Sequence, residues 1–371
     1  MTVCLVHPPS AKAPNDKPAS EGFGDVVPAR ESRRRLRRAI SVVAGAAFVV
    51  LVMSKREALV ASFDRLGHPH WTWIPIAVAL ELASMATLAW IQRRLLKVGG
   101  RRVGKRPMMA TVLAANALSV SVPVAGPELG TAFTFRRLKK QGADASLASW
   151  SLLVGGLVSW VGAILVLVAG GALSGNALIT GAAVLVGLLA VIVVLAVRAG
   201  LRRPRLRCLL VRAAGRTFER VARLVSHPVD QQHDAVEGWL DRVESLRLSR
   251  SGWVNVGGMG LANWLTDAGV LVMSVLAVGA PVPWRAVLLV YGVATIVGSA
   301  GITPGGIGVV EATLCVGLVR SGLTAGKALG AVLLYRLISF WLVATVGWLV
   351  LLYLRLERPA RSGAVQGVVP S

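Results

Sequence analysis

The chain has 371 residues, 54% of them hydrophobic and 16% charged, with a mean hydropathy of +0.64. A soluble domain carries about a quarter charged residues, whereas here the apolar surplus is gathered into blocks of membrane-spanning length. The formal charge of +23 flanks those blocks, with no zinc spacing, RNP-type motif or separate basic helix, so a bilayer and not a nucleic acid accounts for it.

Residues 1–38 mix Pro, Ser, Gly and charge and end in Arg33, Arg34, Arg35, Arg37 and Arg38; they read as a disordered basic cytoplasmic tail. Apolar blocks follow at 36–53, 71–91, 145–170, 177–197, 252–278 and 328–354, each near the ~20 residues that cross the hydrocarbon layer. The first block lies too far from the start, without a small-residue cleavage site, to be a signal peptide, and is read as a retained span. Two further blocks are interrupted, 107–135 at Pro123, Gly126 and Pro127, and 284–320 at Thr303, Pro304, Gly305, Gly306 and Gly308. Proline removes a backbone donor and glycine loosens a helix. Broken backbone at membrane depth survives only against protein or a wet cavity.

Between the fourth and fifth full spans, 198–250 reads as a cytoplasmic amphipathic loop, with Val236, Leu240, Val243 and Leu246 at helical spacing and arginines among Leu209, Leu210 and Phe218. Such a segment suits anionic lipid headgroups; a solvated pair of linker helices suits the pattern equally well. Residues 356–371 form a second cytoplasmic tail. Cys4, Cys208 and Cys315 lie far apart without a CxxC pair, which gives neither a disulfide framework nor a zinc site.

Charge sets the orientation, because cytoplasmic loops retain Lys and Arg. If both interrupted blocks are re-entrant, 34 of the 41 basic residues fall on the cytoplasmic side and Arg336 lies inside a span. If the first block crossed fully, Arg136, Arg137, Lys139 and Lys140 would face outward. The first hairpin then enters from the cytoplasm and the second from the opposite face. The expected fold is all-α, a polytopic membrane helix bundle with six full spans, two re-entrant broken-helix hairpins and an inverted repeat, an architecture that points half-helix ends at a central site. Mirrored spacings agree: Glu128 precedes Arg137 and Glu311 precedes Arg320 by nine residues, and Gly142 precedes Ser159 and Gly322 precedes Ser339 by seventeen. So few matches also arise by chance.

Acidic residues inside apolar blocks carry the functional signal, since an unpaired carboxylate at the bilayer centre costs about 2.5–3.5 kcal/mol on insertion scales. There are four, Glu81, Glu128, Asp267 and Glu311. Glu128 and Glu311 each follow a break and belong to the first turn of a second half-helix, where the helix dipole favours a carboxylate whether or not it binds anything. Arg336, in the last span, is either the ligand of a lipid phosphate or the structural partner of Glu311 or Asp267. Glu81, Asp267 and Asn263 also suit satisfied interhelical contacts.

The stretch TPGGIGVVE from Thr303 to Glu311, with Gly322 and AVLLYRLISFW from 331 to 341, resembles the membrane region of bacterial lysylphosphatidylglycerol synthetases and of related flippase-like proteins that lack the synthetase domain. The stretch from Asn116 to Arg137, containing SVPVAGPELG, is similar to that family's first broken-helix motif. The resemblance covers about 39–355 and implies a membrane domain that translocates or presents polar lipids, with Asn116, Glu128, Asp267, Pro304, Gly305, Gly306, Glu311 and Arg336 as candidate substrate-binding residues. The chain departs from the pattern at Pro127, where glycine is usual, and at Val154 and Gly155, where an arginine is expected. It ends soon after the last span, with no room for an aminoacyl-transferase domain, so no lipid-modifying catalysis is expected.

The first functional expectation is a flippase or lipid transporter in a bacterial plasma membrane, with both termini cytoplasmic. Its substrate would be an aminoacylated phospholipid or a polyprenyl-phosphate-linked lipid. The alternatives are a membrane-embedded transferase acting on lipid-linked donors and a noncatalytic partner of an envelope-biosynthesis complex. Neither GxxxxGK[ST] nor a strand-linked GxGxxG occurs. No cofactor or metal is expected, and the expected partners are membrane lipid, anionic headgroups, and a second copy or an envelope-biosynthesis protein.

Overall fold

The computed structural model describes residues 70–122, 125–202, 248–299 and 303–356. The expected first span, both tails, Pro123 and nearly all of the 198–250 loop lie outside the described residues. Among the described residues there are helices and no strands. In chain order these are α1 (Trp73–Val98), α2 (Lys105–Ser121), α3 (Gly126–Lys140), α4 (Ala145–Leu173), α5 (Ala177–Arg202), α6 (Arg250–Ala277), α7 (Val287–Gly298), a 3-10 turn at Pro304–Gly306, α8 (Val309–Arg320) and α9 (Ala325–Arg336). A π-helical turn at Leu337–Leu342 then leads without a break into α10 (Val343–Leu356).

Local chemistry sets several of these boundaries. Asp144 begins α4 by accepting the backbone N–H of Leu147 at 2.7 Å, and Ser249 begins α6 by accepting that of Gly252 at 3.1 Å; both caps satisfy donors that the first helical turn leaves open. The expected interruptions are present. The first falls between Ser121 and Gly126, with Pro127 in the first turn of α3, where its missing N–H costs nothing. The second separates α7 from α8 through the Pro-Gly-Gly turn.

Among the described residues, four helical stretches are long and apolar enough to cross a membrane: Trp73–Val98, Ala145–Leu173, Arg250–Ala277 and Ala325–Leu354. Their outward faces are apolar too. Leu153, Leu157, Trp160 and Leu165 project from α4 and Leu349, Leu352 and Tyr353 from α10, all well exposed. A contiguous apolar exterior of this kind needs a lipid solvent. The chain is a multi-pass membrane protein.

Helix α6 holds the bundle together by packing against α1, α4 and α9. Polar side chains tie these contacts: Ser84 donates to Asn263 Oδ1 at 3.1 Å, and the Trp264 indole N–H donates to the Ser159 carbonyl at 2.6 Å. Asn263 is thus a satisfied interhelical contact. Helix α4 also packs along α7, and α10 packs along α2.

Candidate functional site

Glu311 sits at the third position of α8, and one carboxylate oxygen accepts the backbone N–H of Gly308 at 2.6 Å. This is the expected helix-start contact. The other oxygen accepts Arg336 Nε at 2.7 Å. Arg336, only 7% exposed, also donates from Nη2 to the Gly305 carbonyl at 2.9 Å, and its guanidinium carbon lies 4.3 Å from the centroid of the Phe340 ring. The last residue of α9 therefore clamps the interrupted segment to the start of α8. A guanidinium has five N–H donors; these two bonds use two of them.

Gly305 is required by geometry. Its φ of +56° lies in the left-handed region, and a Cβ at this position would run into the Phe340 ring. Phe340 belongs to the π-helical turn directly after Arg336. Such turns are rare and concentrate at functional positions; here it shapes the surroundings of the intramembrane arginine.

Arg336 and Gly305 line a cavity of about 390 Å³, together with Ser159 and Trp160 of α4, Trp264 of α6 and Tyr335 of α9. Trp160 is 52% exposed on the outer face of α4, so the cavity opens towards the lipid side of the bundle. Its volume falls in the range of small-ligand sites, about 300–1,000 Å³.

Behind the cavity is a polar cluster that the sequence reading did not assemble. Asp267 accepts the Tyr291 hydroxyl at 2.5 Å and the Tyr335 hydroxyl at 3.3 Å. Glu81 of α1, 2% exposed, faces the same carboxyl. The chain has three tyrosines, and two of them converge on one aspartate, a meeting that no spacing in the sequence marks.

Of the candidate residues, Glu311, Arg336, Gly305 and Gly306 come together at the second break, and Pro304 opens its 3-10 turn. Asp267 joins them indirectly, through Tyr335, the neighbour of Arg336. Asn116 stands apart, its side-chain amide donating to Met85 Sδ at 3.7 Å. Glu128 is exposed in the first turn of α3 and is not among the lining of this cavity.

The matching family is the lysylphosphatidylglycerol synthase TM region, and the match runs over residues 38–347, through every helix of the site. The chain belongs to that family. The Glu311–Arg336 pair, its glycine turn and the cavity all lie within the matched region. No curated protein matches the chain.

Proposed function

We propose that this chain moves or presents polar phospholipids between the leaflets of a bacterial plasma membrane, holding the lipid phosphate at Arg336 while the acyl chains stay in the bilayer. One observation carries the reading: an almost buried arginine lines a headgroup-sized cavity that is open on its Trp160 side. An intramembrane cation is costly and marks function by default. The planar guanidinium matches phosphate oxygens, and three of its N–H groups remain beyond those given to Glu311 and Gly305. On this reading the chain translocates lipid and transfers no chemical group.

Alternating exposure of the cavity needs an architecture that can rock, and an inverted repeat supplies one. Several observations support such a repeat. At about 1.5 Å per residue, the 12 residues each of α7 and α8 and the 15 of α3 fall short of a bilayer. The tips of the two interrupted segments meet, since Val120 and Ile307 pack with Phe340 in one cluster. The turns after α3 and α8 match: Gly142 and Gly322 both have positive φ, and in each the next residue's N–H bonds back to a carbonyl five residues earlier, Ala143 to Leu138 and Leu323 to Leu318. The pairing of α4 with α7 and of α10 with α2 is the exchange expected of two interlocked halves. The basic residue distribution favours cytoplasmic termini.

The test is purified protein in phospholipid vesicles with a trace of headgroup-labelled phosphatidylglycerol and a quencher that cannot cross the bilayer. Wild type should make the inner-leaflet label accessible. Arg336→Ala should slow this by about 10-fold or more, the loss of one charged hydrogen-bonding partner, while remaining monodisperse in detergent. An unchanged rate for Arg336→Ala rejects the phosphate site.

A further inference from the structure

Glu81 and Asp267 pose a problem that the lipid cavity does not solve. Glu81 Oε2 is buried and, among the described residues, has no hydrogen-bond partner, and the Glu81 side chain faces another carboxyl, that of Asp267. Two bare carboxylates cannot satisfy one another, because each is acceptor-only, and adjacent anions away from water repel strongly. Among the described residues no cation bonds the pair. Arg336 acts on Asp267 only through space and is bonded to Glu311 and Gly305. From α7 and α9 the pair meets the hydroxyls of Tyr291 and Tyr335, both directed at Asp267, and α4 carries no titratable residue. The donor missing between two facing carboxyls is an acid proton.

We propose that Glu81 and Asp267 jointly hold one exchangeable proton, that Tyr335 passes it to the lipid cavity, and that a proton gradient thereby drives lipid movement. This rests on the reading of the cavity as a lipid site. Tyr335 suits the relay because it both lines the cavity and reaches Asp267. Its hydroxyl accepts a proton from the carboxyl pair as it releases its own to cavity water, and the reverse exchange reloads the pair. A proton-filled pair is also less repulsive to an anionic headgroup held at Arg336, one residue along α9. By linkage the bound anion strengthens the hold on the proton equally. Proton and anionic lipid should therefore travel in the same direction.

The experiment uses full-length protein in vesicles of phosphatidylcholine and phosphatidylglycerol carrying a labelled phosphatidylglycerol, with the lumen more alkaline than the bath. For one proton per lipid, the label should accumulate in the inner leaflet by up to about 10-fold per pH unit. Glu81→Gln, which keeps the size of the side chain and carries a permanent donor, should let label equilibrate between leaflets without any response to the pH difference. Label that moves but ignores the pH difference, or follows a sodium gradient instead, overturns the proton site and leaves lipid translocation standing. Infrared spectra decide the point without transport. Wild type minus Glu81→Gln should show the carbonyl stretch of one protonated carboxylic acid near neutral pH, and its absence overturns the proposal even if no lipid moves.

Discussion

At the scale of single residues, the Glu311–Arg336 pair makes the sharpest stability prediction. Arg336 is buried while the Glu311 side chain is 21% exposed, so removing one member of the pair should cost part of the about 3–5 kcal/mol that stranding a charge costs in a fully buried pair, whereas replacing both by apolar groups is often neutral. Glu311→Gln should therefore lower the thermal unfolding midpoint in detergent more than the double variant Glu311→Leu/Arg336→Met does, and equal losses would show that the two side chains act separately. Gly305→Ala should be destabilised as well, by roughly 1–2 kcal/mol for the left-handed backbone and more for the displaced Phe340 ring; full stability there would reject the close approach. The charged members of this site were legible because a charge inside an apolar block needs an explanation. The tyrosines were not, because Tyr291 and Tyr335 meet Asp267 across 24 and 68 residues of chain, and a hydroxyl leaves hydropathy almost unmarked. Glu128 shows the reverse. It shares with Glu311 the signature of a carboxylate after a helix break, yet it lies exposed. A helix start is a local property, whereas the arginine that fixes Glu311 comes from a helix 25 residues on, and the corresponding region of the first half carries Val154 and Gly155.

Among the described helices, the apolar blocks at 145–170, 252–278 and 328–354 and the two Pro-Gly clusters match helices and breaks to within a few residues, because hydrocarbon imposes length and internal hydrogen bonding together. The π-helical turn was not predicted, since no residue in Leu337–Leu342 enforces an extra residue per turn; the helix takes it up through its packing against α1 and α6. Glycine marks the close crossings. A Cβ at Gly347 of α10 would strike the backbone carbonyl of Leu113 in α2, whereas one at Gly257 of α6 would meet nothing within 4 Å. Alanine exceeds glycine in helix propensity by about 1 kcal/mol, so Gly257→Ala should be neutral or stabilising. Gly347→Ala should lose stability despite the same gain, because backbone cannot move aside as a flexible side chain does. Thermal unfolding of the two variants side by side measures the difference, and equal shifts would show that α2 and α10 are not in tight contact.

For the molecule as a whole, the property that decides the proposed mechanism is whether the two interrupted segments enter the bilayer from opposite faces. The last turn of α3 carries Lys139 and Lys140, and α8 ends on Arg320 with Ser321 behind it, each leading into a glycine turn of the same form. If the halves are inverted copies, these two turns lie on opposite surfaces, the first cytoplasmic because its basic residues resist translocation. If the halves were parallel copies, both would lie on one surface, and the cavity could not be offered to each leaflet in turn by rocking one half against the other. With Cys4, Cys208 and Cys315 replaced by serine, single cysteines at Lys139 and Ser321 should separate under a membrane-impermeant maleimide: Ser321→Cys labels in intact cells, Lys139→Cys only after lysis. Labelling of both positions from the same side would remove the inverted architecture. The proposed lipid site at Arg336 would then need a different route between the leaflets.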